Sequence, residues 1–174
     1  MQLFKQLELC REELKFSGQV TLGIHSNALG ADDFIAGHAW LSVETSKSIF
    51  FLGLWPDNHP DVIDKREECA DIRFNMEVRA LARASRYYRL SPSQVTRLNQ
   101  YINKPAAWGY MNNCSDWATE GVKYVLGHAP SASDHLIFNT PRSLGEDIER
   151  LEKMNPTSPR FPREGEIKES SLWR

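Results

Sequence analysis

Cys114 lies in Gly109-Tyr-Met-Asn-Asn-Cys-Ser-Asp-Trp-Ala118, where a loop containing Pro105 and Gly109 gives way to Trp117, Ala118, Gly121, Val122 and Val125 at helical spacing, with Gly127 as the closing residue. This spacing predicts a helix that begins at the cysteine. A thiol in the first turn feels the positive end of the helix dipole and the unbonded backbone N–H groups there, which favour the thiolate. The same amides can receive the oxyanion that forms when a thiolate attacks a carbonyl. Asn112 and Asn113 add side-chain amides that either bond that oxyanion or shape the turn. The competing reading is an inert buried thiol, since free cysteine is among the most buried residue types. Cys10 and Cys69 lack such a setting and read as structural or incidental. With three cysteines and no C-x-x-C or Cys/His ligand spacing, neither a disulfide framework nor a metal site is expected.

A nucleophilic thiol needs a base within hydrogen-bond reach. Of His25, His38, His59, His128 and His135, only His38 opens a well-marked strand, directly after Gly37. A strand holds a side chain more rigidly than a loop, which suits a general base. The alternative for His38 is a strand-end imidazole bonded to a neighbouring carbonyl. His59 and His135 sit in polar loops and read as solvated.

The elements that must position these groups follow from periodicity. Leu3, Leu7, Cys10 and Leu14 predict a short helix over residues 2–15. Val20, Leu22 and Ile24 alternate as in a strand, and residues 38–43 and 48–55, joined by the polar stretch 44–47, read as an antiparallel hairpin. Residues 56–71 form a charged excursion, and 74–90 read as one or two strands with an Ala/Arg-rich middle that is also compatible with helix. Ser91-Pro-Ser-Gln94 is a capping-box start for a helix to about Asn103, with Val95, Leu98, Tyr101 and Ile102 on one face. Thr140-Pro141 opens a last helix, 142–154. The expected organisation is one catalytic domain over 1–154 and an extended or disordered tail over 155–174.

Composition narrows the function classes. The 174-residue chain has 41% hydrophobic residues, enough for a sizeable core, and its net charge of −2 argues against a nucleic-acid partner. No apolar run approaches the roughly 20 residues a membrane span requires. The N-terminal stretch carries glutamate where a Sec signal would be apolar. No cofactor motif is present.

Gly37-His-Ala-Trp-Leu-Ser-Val43, the second strand ending in Gly53-Leu-Trp-Pro56, the helix start at Tyr87-Tyr-Arg-Leu-Ser-Pro-Ser-Gln94, the Asn-Asn-Cys114 helix start and Asn139-Thr-Pro-Arg-Ser-Leu144 together resemble the circularly permuted branch of the NlpC-type, papain-like cysteine peptidases, over about residues 18–150. In that branch the histidine strand precedes the cysteine helix, as His38 precedes Cys114 here. The resemblance implies an α+β, papain-like fold in which a mainly antiparallel sheet packs against the cysteine helix. It implies Cys114 as nucleophile and His38 as base. It also implies a third polar residue on the strand after the histidine. Residues 48–55 are nearly all apolar, which leaves Glu44, Ser48, Asp57, Asn58 or a backbone carbonyl to orient the imidazole, or a dyad without such a group.

Members of this broad group include bacterial toxins delivered by type VI secretion and enzymes that cleave peptidoglycan peptides, lipids or protein amides. The resemblance thus implies a thiol hydrolase that cleaves an amide in peptidoglycan stem peptides as an antibacterial effector, opposed by an immunity protein. Such a chain is cytoplasmic in its producer and reaches a target cell through a dedicated apparatus. Lipid deacylation, protein deamidation or transglutamination is the alternative chemistry. The non-enzymatic alternative is an inactive binding module, suggested by the missing third residue and by Trp108, Tyr110 and Trp173.

Overall fold

The computed structural model describes residues 8–29, 37–63, 65–133 and 139–165. It is an α+β arrangement of a six-stranded sheet and three helices. The strands are β1 (Val20–Ser26), β2 (Ala39–Thr45), β3 (Ile49–Leu54), β4 (Ile72–Phe74), β5 (Ala84–Arg89) and β6 (Arg163–Glu164), in the spatial order β4-β3-β2-β1-β5-β6. All neighbours are antiparallel except β5 and β6, which run parallel. The sheet is therefore mixed, although mainly antiparallel, as expected. Residues 163–164, within the segment read as an extended tail, supply the sixth strand. Trp173 lies outside the described residues.

The helices are α1 (Pro92–Ile102), α2 (Cys114–Leu126) and α3 (Pro141–Met154). Each start is written in the sequence. Ser91 and Gln94 form the capping box of α1, Asn113 and Asp116 that of α2, and the Thr140 hydroxyl caps α3. Along β1, Val20, Leu22 and Ile24 point into the core, as do Leu41 and Val43 of β2 and Leu52 and Leu54 of β3. Onto this face α2 sets Trp117, Ala118, Val122 and Val125. Gly121 lets it come close, because a Cβ there would lie 3.1 Å from Leu41 and 2.7 Å from Tyr101. The stretch 74–90 resolves into the end of β4, a 3-10 turn over Met76–Arg79 and β5.

Two expectations about the N-terminal segment need correction. Leu3 and Leu7 of the expected helix lie outside the described residues, and residues 8–15 form no helix. Their backbone is satisfied from outside instead. Asn103 of the α1 C-cap accepts from Leu14 N–H and donates to its carbonyl, while Asn99 does the same for Phe16. Apolar spacing signalled a helix where side-chain amides of α1 hold an extended strap. Further along it, Glu8 bridges to Cys69, and Cys10 and Cys69 form a disulfide across a sequence separation of 59. The pairing leaves Cys114 as the free cysteine, makes Cys10 and Cys69 structural rather than incidental, and corrects the expectation that disulfides play no part. Spacing rules detect clustered cysteines, not partners that strand-like pairing brings together over such a distance.

Closing a 59-residue loop removes chain entropy from the unfolded state, worth about 4 kcal/mol in the simple loop model. Cys10→Ala/Cys69→Ala is expected to lower unfolding free energy by about 2–4 kcal/mol in urea titrations. Stability unchanged within about 0.5 kcal/mol would mean the crosslink adds nothing to the fold.

Candidate active site

Cys114 is the first residue of α2, so the expected helix-start position is met. The cap determines which amides remain for other use. Asn113 Oδ1 accepts from the Ser115 and Asp116 N–H groups, and Trp117 N–H bonds the Asn113 carbonyl. Those bonds leave out the Cys114 N–H, directly beside the thiol. Asn113 Nδ2 donates to the Asn139 carbonyl at 2.9 Å, and Asn112 Nδ2 donates to the Ala107 carbonyl at 2.6 Å. Both asparagines therefore take the turn-shaping role, one of the two alternatives expected for their amides. Asn139 Nδ2 also donates to Asp116, which ties the residues before α3 to the start of α2.

His38 immediately precedes β2, after Gly37 at φ +114°, a conformation that suits glycine; its N–H donates to Asn27 Oδ1 at 2.6 Å. Its ring Nε2 lies 3.0 Å from Glu77 Oε1. Trp55 Nε1 donates to the same carboxylate oxygen at 2.6 Å. With Nε2 engaged by Glu77, Nδ1 is the nitrogen left for the Cys114 thiol, which lines the same cavity and whose charge favours the protonated ring.

The group that faces His38 is thus Glu77, and not Glu44, Ser48, Asp57 or Asn58. Glu44 stands opposite Thr21 and Ile49 in the sheet, and Ser48 is an exposed turn residue bonded to Thr45. Asp57 is paired with Arg73, while Asn58 is exposed. Glu77 reaches the site because Asn75, in the left-handed region at φ 57°, clamps the chain onto β3. Its N–H donates to the Phe51 carbonyl, and its Oδ1 accepts from Phe51 N–H. The 3-10 turn then lies over Gly53. A Cβ on Gly53 would fall on Glu77 Oε1 and come within 2.7 Å of His38 Nε2 and 2.8 Å of Trp55 Nε1. Glycine at this position makes the contact possible.

Cys114 and His38 are each 8% exposed and Glu77 is 1% exposed. Burial alone works against an imidazolium, but the hydrogen bonds and charges of Cys114 and Glu77 outweigh it and hold His38 up at about 9. Burial likewise works against a thiolate. His38 and the Ala39 amide reverse that effect, and the Cys114 thiol is held below its ordinary 9.0. The two shifts describe one coupled pair, thiolate and imidazolium.

The remaining histidines divide clearly. His25 is buried between Ser85 and Ser42 hydroxyls, at 2.8 and 2.7 Å, and burial pushes it down to about 3. It stays neutral and stacks on Trp40, whose other neighbour is His38, with ring centroids 5.4 and 5.8 Å apart. Trp55 lies 3.9 Å from the His38 ring and 4.5 Å from His59. His135 lies outside the described residues.

A cavity of about 500 Å³ opens on the pair, lined by Cys114, His38, Trp55, His59, Trp108 and Tyr110 among others. Tyr110 is 82% exposed and sits edge-on to Trp108 at its rim. No Lys, Arg, Asp or Glu is among the described lining residues. Among the described residues, no three His, Cys, Asp or Glu side chains converge as a metal set, and no helix is long and apolar enough to cross a membrane.

The arrangement can present a thiolate to a carbonyl, keep a proton on the adjacent imidazolium, and offer the Cys114 N–H to developing negative charge. Comparison with family models, with curated proteins and with solved structures gives no match, so the geometry itself carries the interpretation.

With Cys10 and Cys69 crosslinked, iodoacetamide is expected to modify Cys114 in the folded chain. Because the thiol lies below 9.0, its alkylation is expected to persist as pH falls through 9 and to decline only at the lower value. A rate that titrates at an ordinary thiol value near 9 would remove the ion pair from the site.

Proposed function

We propose that this chain is a thiol hydrolase that cleaves an amide bond, with Cys114 as nucleophile, His38 as acid and base, and Glu77 orienting the ring. The observation that carries this reading is the Cys114–His38–Glu77 series at the wall of a cavity. The thiolate sulfur bonds the carbonyl carbon, and the Cys114 N–H meets the resulting oxyanion. His38 gives its Nδ1 proton to the leaving nitrogen as the C–N bond breaks. Water then attacks the thioester and loses a proton to His38. Collapse of the second tetrahedral intermediate releases the acid and regenerates the thiolate and imidazolium.

The permuted papain-like identity, the peptidoglycan stem peptide as substrate, delivery as an antibacterial effector and neutralisation by an immunity protein belong to this proposal. Their support is the order of the His38 strand and Cys114 helix and the motif resemblance that accompanies it. One observation favours a second substrate reading. The described walls carry aromatic and aliphatic side chains but no Lys, Arg, Asp or Glu, which suits an acyl donor with an apolar chain better than a charged stem peptide.

Incubation with purified peptidoglycan, phospholipid vesicles and a protein lysate, with product masses compared against Cys114→Ala, tests the proposal. Release of stem peptides supports the first substrate, and freed fatty acid or deacylated protein the second. Absence of any Cys114-dependent product would sink the hydrolase reading.

A further inference from the structure

A second cavity, of about 640 Å³, lies at the opposite end of α2. Its lining includes Leu126, Gly127 and His128, whereas Cys114 begins the helix. Over the 13 residues of α2, at about 1.5 Å per residue, the two ends are about 20 Å apart. The second cavity is therefore separate from the thiol site.

Its composition is the reverse of the first. Arg86, Arg97 and Arg163 line it together with His128 and Ser93, and no Asp or Glu is among the described lining residues. Arg86 is only 2% exposed. Its Nε donates to the Tyr88 hydroxyl, and its Nη1 donates to Glu152 and the Asn155 carbonyl. Those bonds leave out Nη2, on a guanidinium that lines the cavity. Arg97 approaches from α1 and Arg163 from β6, so three separate elements each bring a guanidinium group. Leu126, Pro130 and Leu151 give the remaining wall an apolar character.

Arg86 is ion-paired with Glu152 and contributes Nη2 as a donor, while the Arg97 and Arg163 guanidinium groups come from two other elements, so the donors converge from several directions rather than in one plane. A tetrahedral phosphoryl group, whose oxygens accept from several directions, matches their spread. We propose that this cavity binds a phosphate ester, with the phosphoryl group among Arg86, Arg97 and Arg163 and an apolar substituent against Leu126, Pro130 and Leu151.

Calorimetric titration of the full chain at low ionic strength, with inorganic phosphate and then hexyl phosphate, tests the proposal. Saturable binding of both is expected, tighter for the ester; equal affinities would overturn the apolar half of the proposal. Arg97→Gln and Arg163→Gln should each weaken binding about tenfold, the loss of one charge-assisted hydrogen bond. Arg150→Gln, on an exposed α3 ion pair, should bind as the parent does. Arg97 is exposed, so its substitution tests the site without emptying the core. Failure of either probe to saturate, or unchanged affinity in both cavity variants, would overturn the site. Sedimentation with phosphatidylglycerol but not phosphatidylcholine vesicles, lost in Arg97→Gln, would support the site with a lipid headgroup as the source. Soluble binding without sedimentation would support it with a free ester as the source. Sedimentation unchanged by Arg97→Gln, without soluble binding, would count against it.

Discussion

Cys114→Ala and His38→Ala are each expected to lower turnover by about 10⁴-fold or more, and the double variant little further, because a nucleophile and its base act as one unit. The structure supplies the reason: His38 and Cys114 stabilise each other's charge, so loss of either removes that stabilisation from the other. His59→Ala should retain most turnover, since His59 lines the cavity but its ring lies against Trp55 and not against His38 or Cys114. Turnover is read once a Cys114-dependent product is in hand, with folding confirmed by circular dichroism. Near-parental rates in His38→Ala would separate the fold from the chemistry proposed for it.

Glu77→Gln and Gly53→Ala are expected to cost about 10²–10⁴-fold in turnover, since both disturb the bond that fixes the imidazole. They act differently. Glu77→Gln keeps the shape and removes the charge, whereas a Cβ at Gly53 pushes into the carboxylate, His38 Nε2 and Trp55 Nε1. The pH profile tells an orienting role from a purely structural one. Catalysis needs His38 protonated, so the parent should lose activity as pH rises through about 9. Without the Glu77 charge that limb should move to lower pH, because less remains to hold the proton on the ring. An unshifted limb in Glu77→Gln would deny Glu77 its influence on His38.

Much of this geometry is legible in the chain. The capping box at Ser91 and Gln94, the Asn113 cap before Cys114 and the alternation of Val20, Leu22 and Ile24 are local patterns, and the corresponding elements form where those patterns place them. His38 and Cys114 could be chosen because each sits at an element boundary that such patterns mark. Glu77 escaped because its position depends on Asn75 gripping Phe51 across the sheet, a long-range contact with no periodic signature. A faint signal did exist: from Met76 to Leu90 it is the lone acidic residue, among Arg79, Arg83, Arg86 and Arg89. The Cys10–Cys69 crosslink and the Asn99 and Asn103 clamps on the N-terminal strap are long-range in the same sense. Local spacing carries no information about them.

The alternation of Trp40, His38 and Trp55 has an optical consequence. Two indoles lie against one imidazole, at centroid distances of 5.8 and 3.9 Å. A protonated imidazole draws electron density from an excited indole and quenches its emission, while the neutral ring does so far less. The chain therefore carries its own light-based gauge of the proton on His38. Tryptophan emission should brighten as alkali discharges the ring, and the brightening should vanish in His38→Ala. The charge state of the site can then be followed with no substrate present.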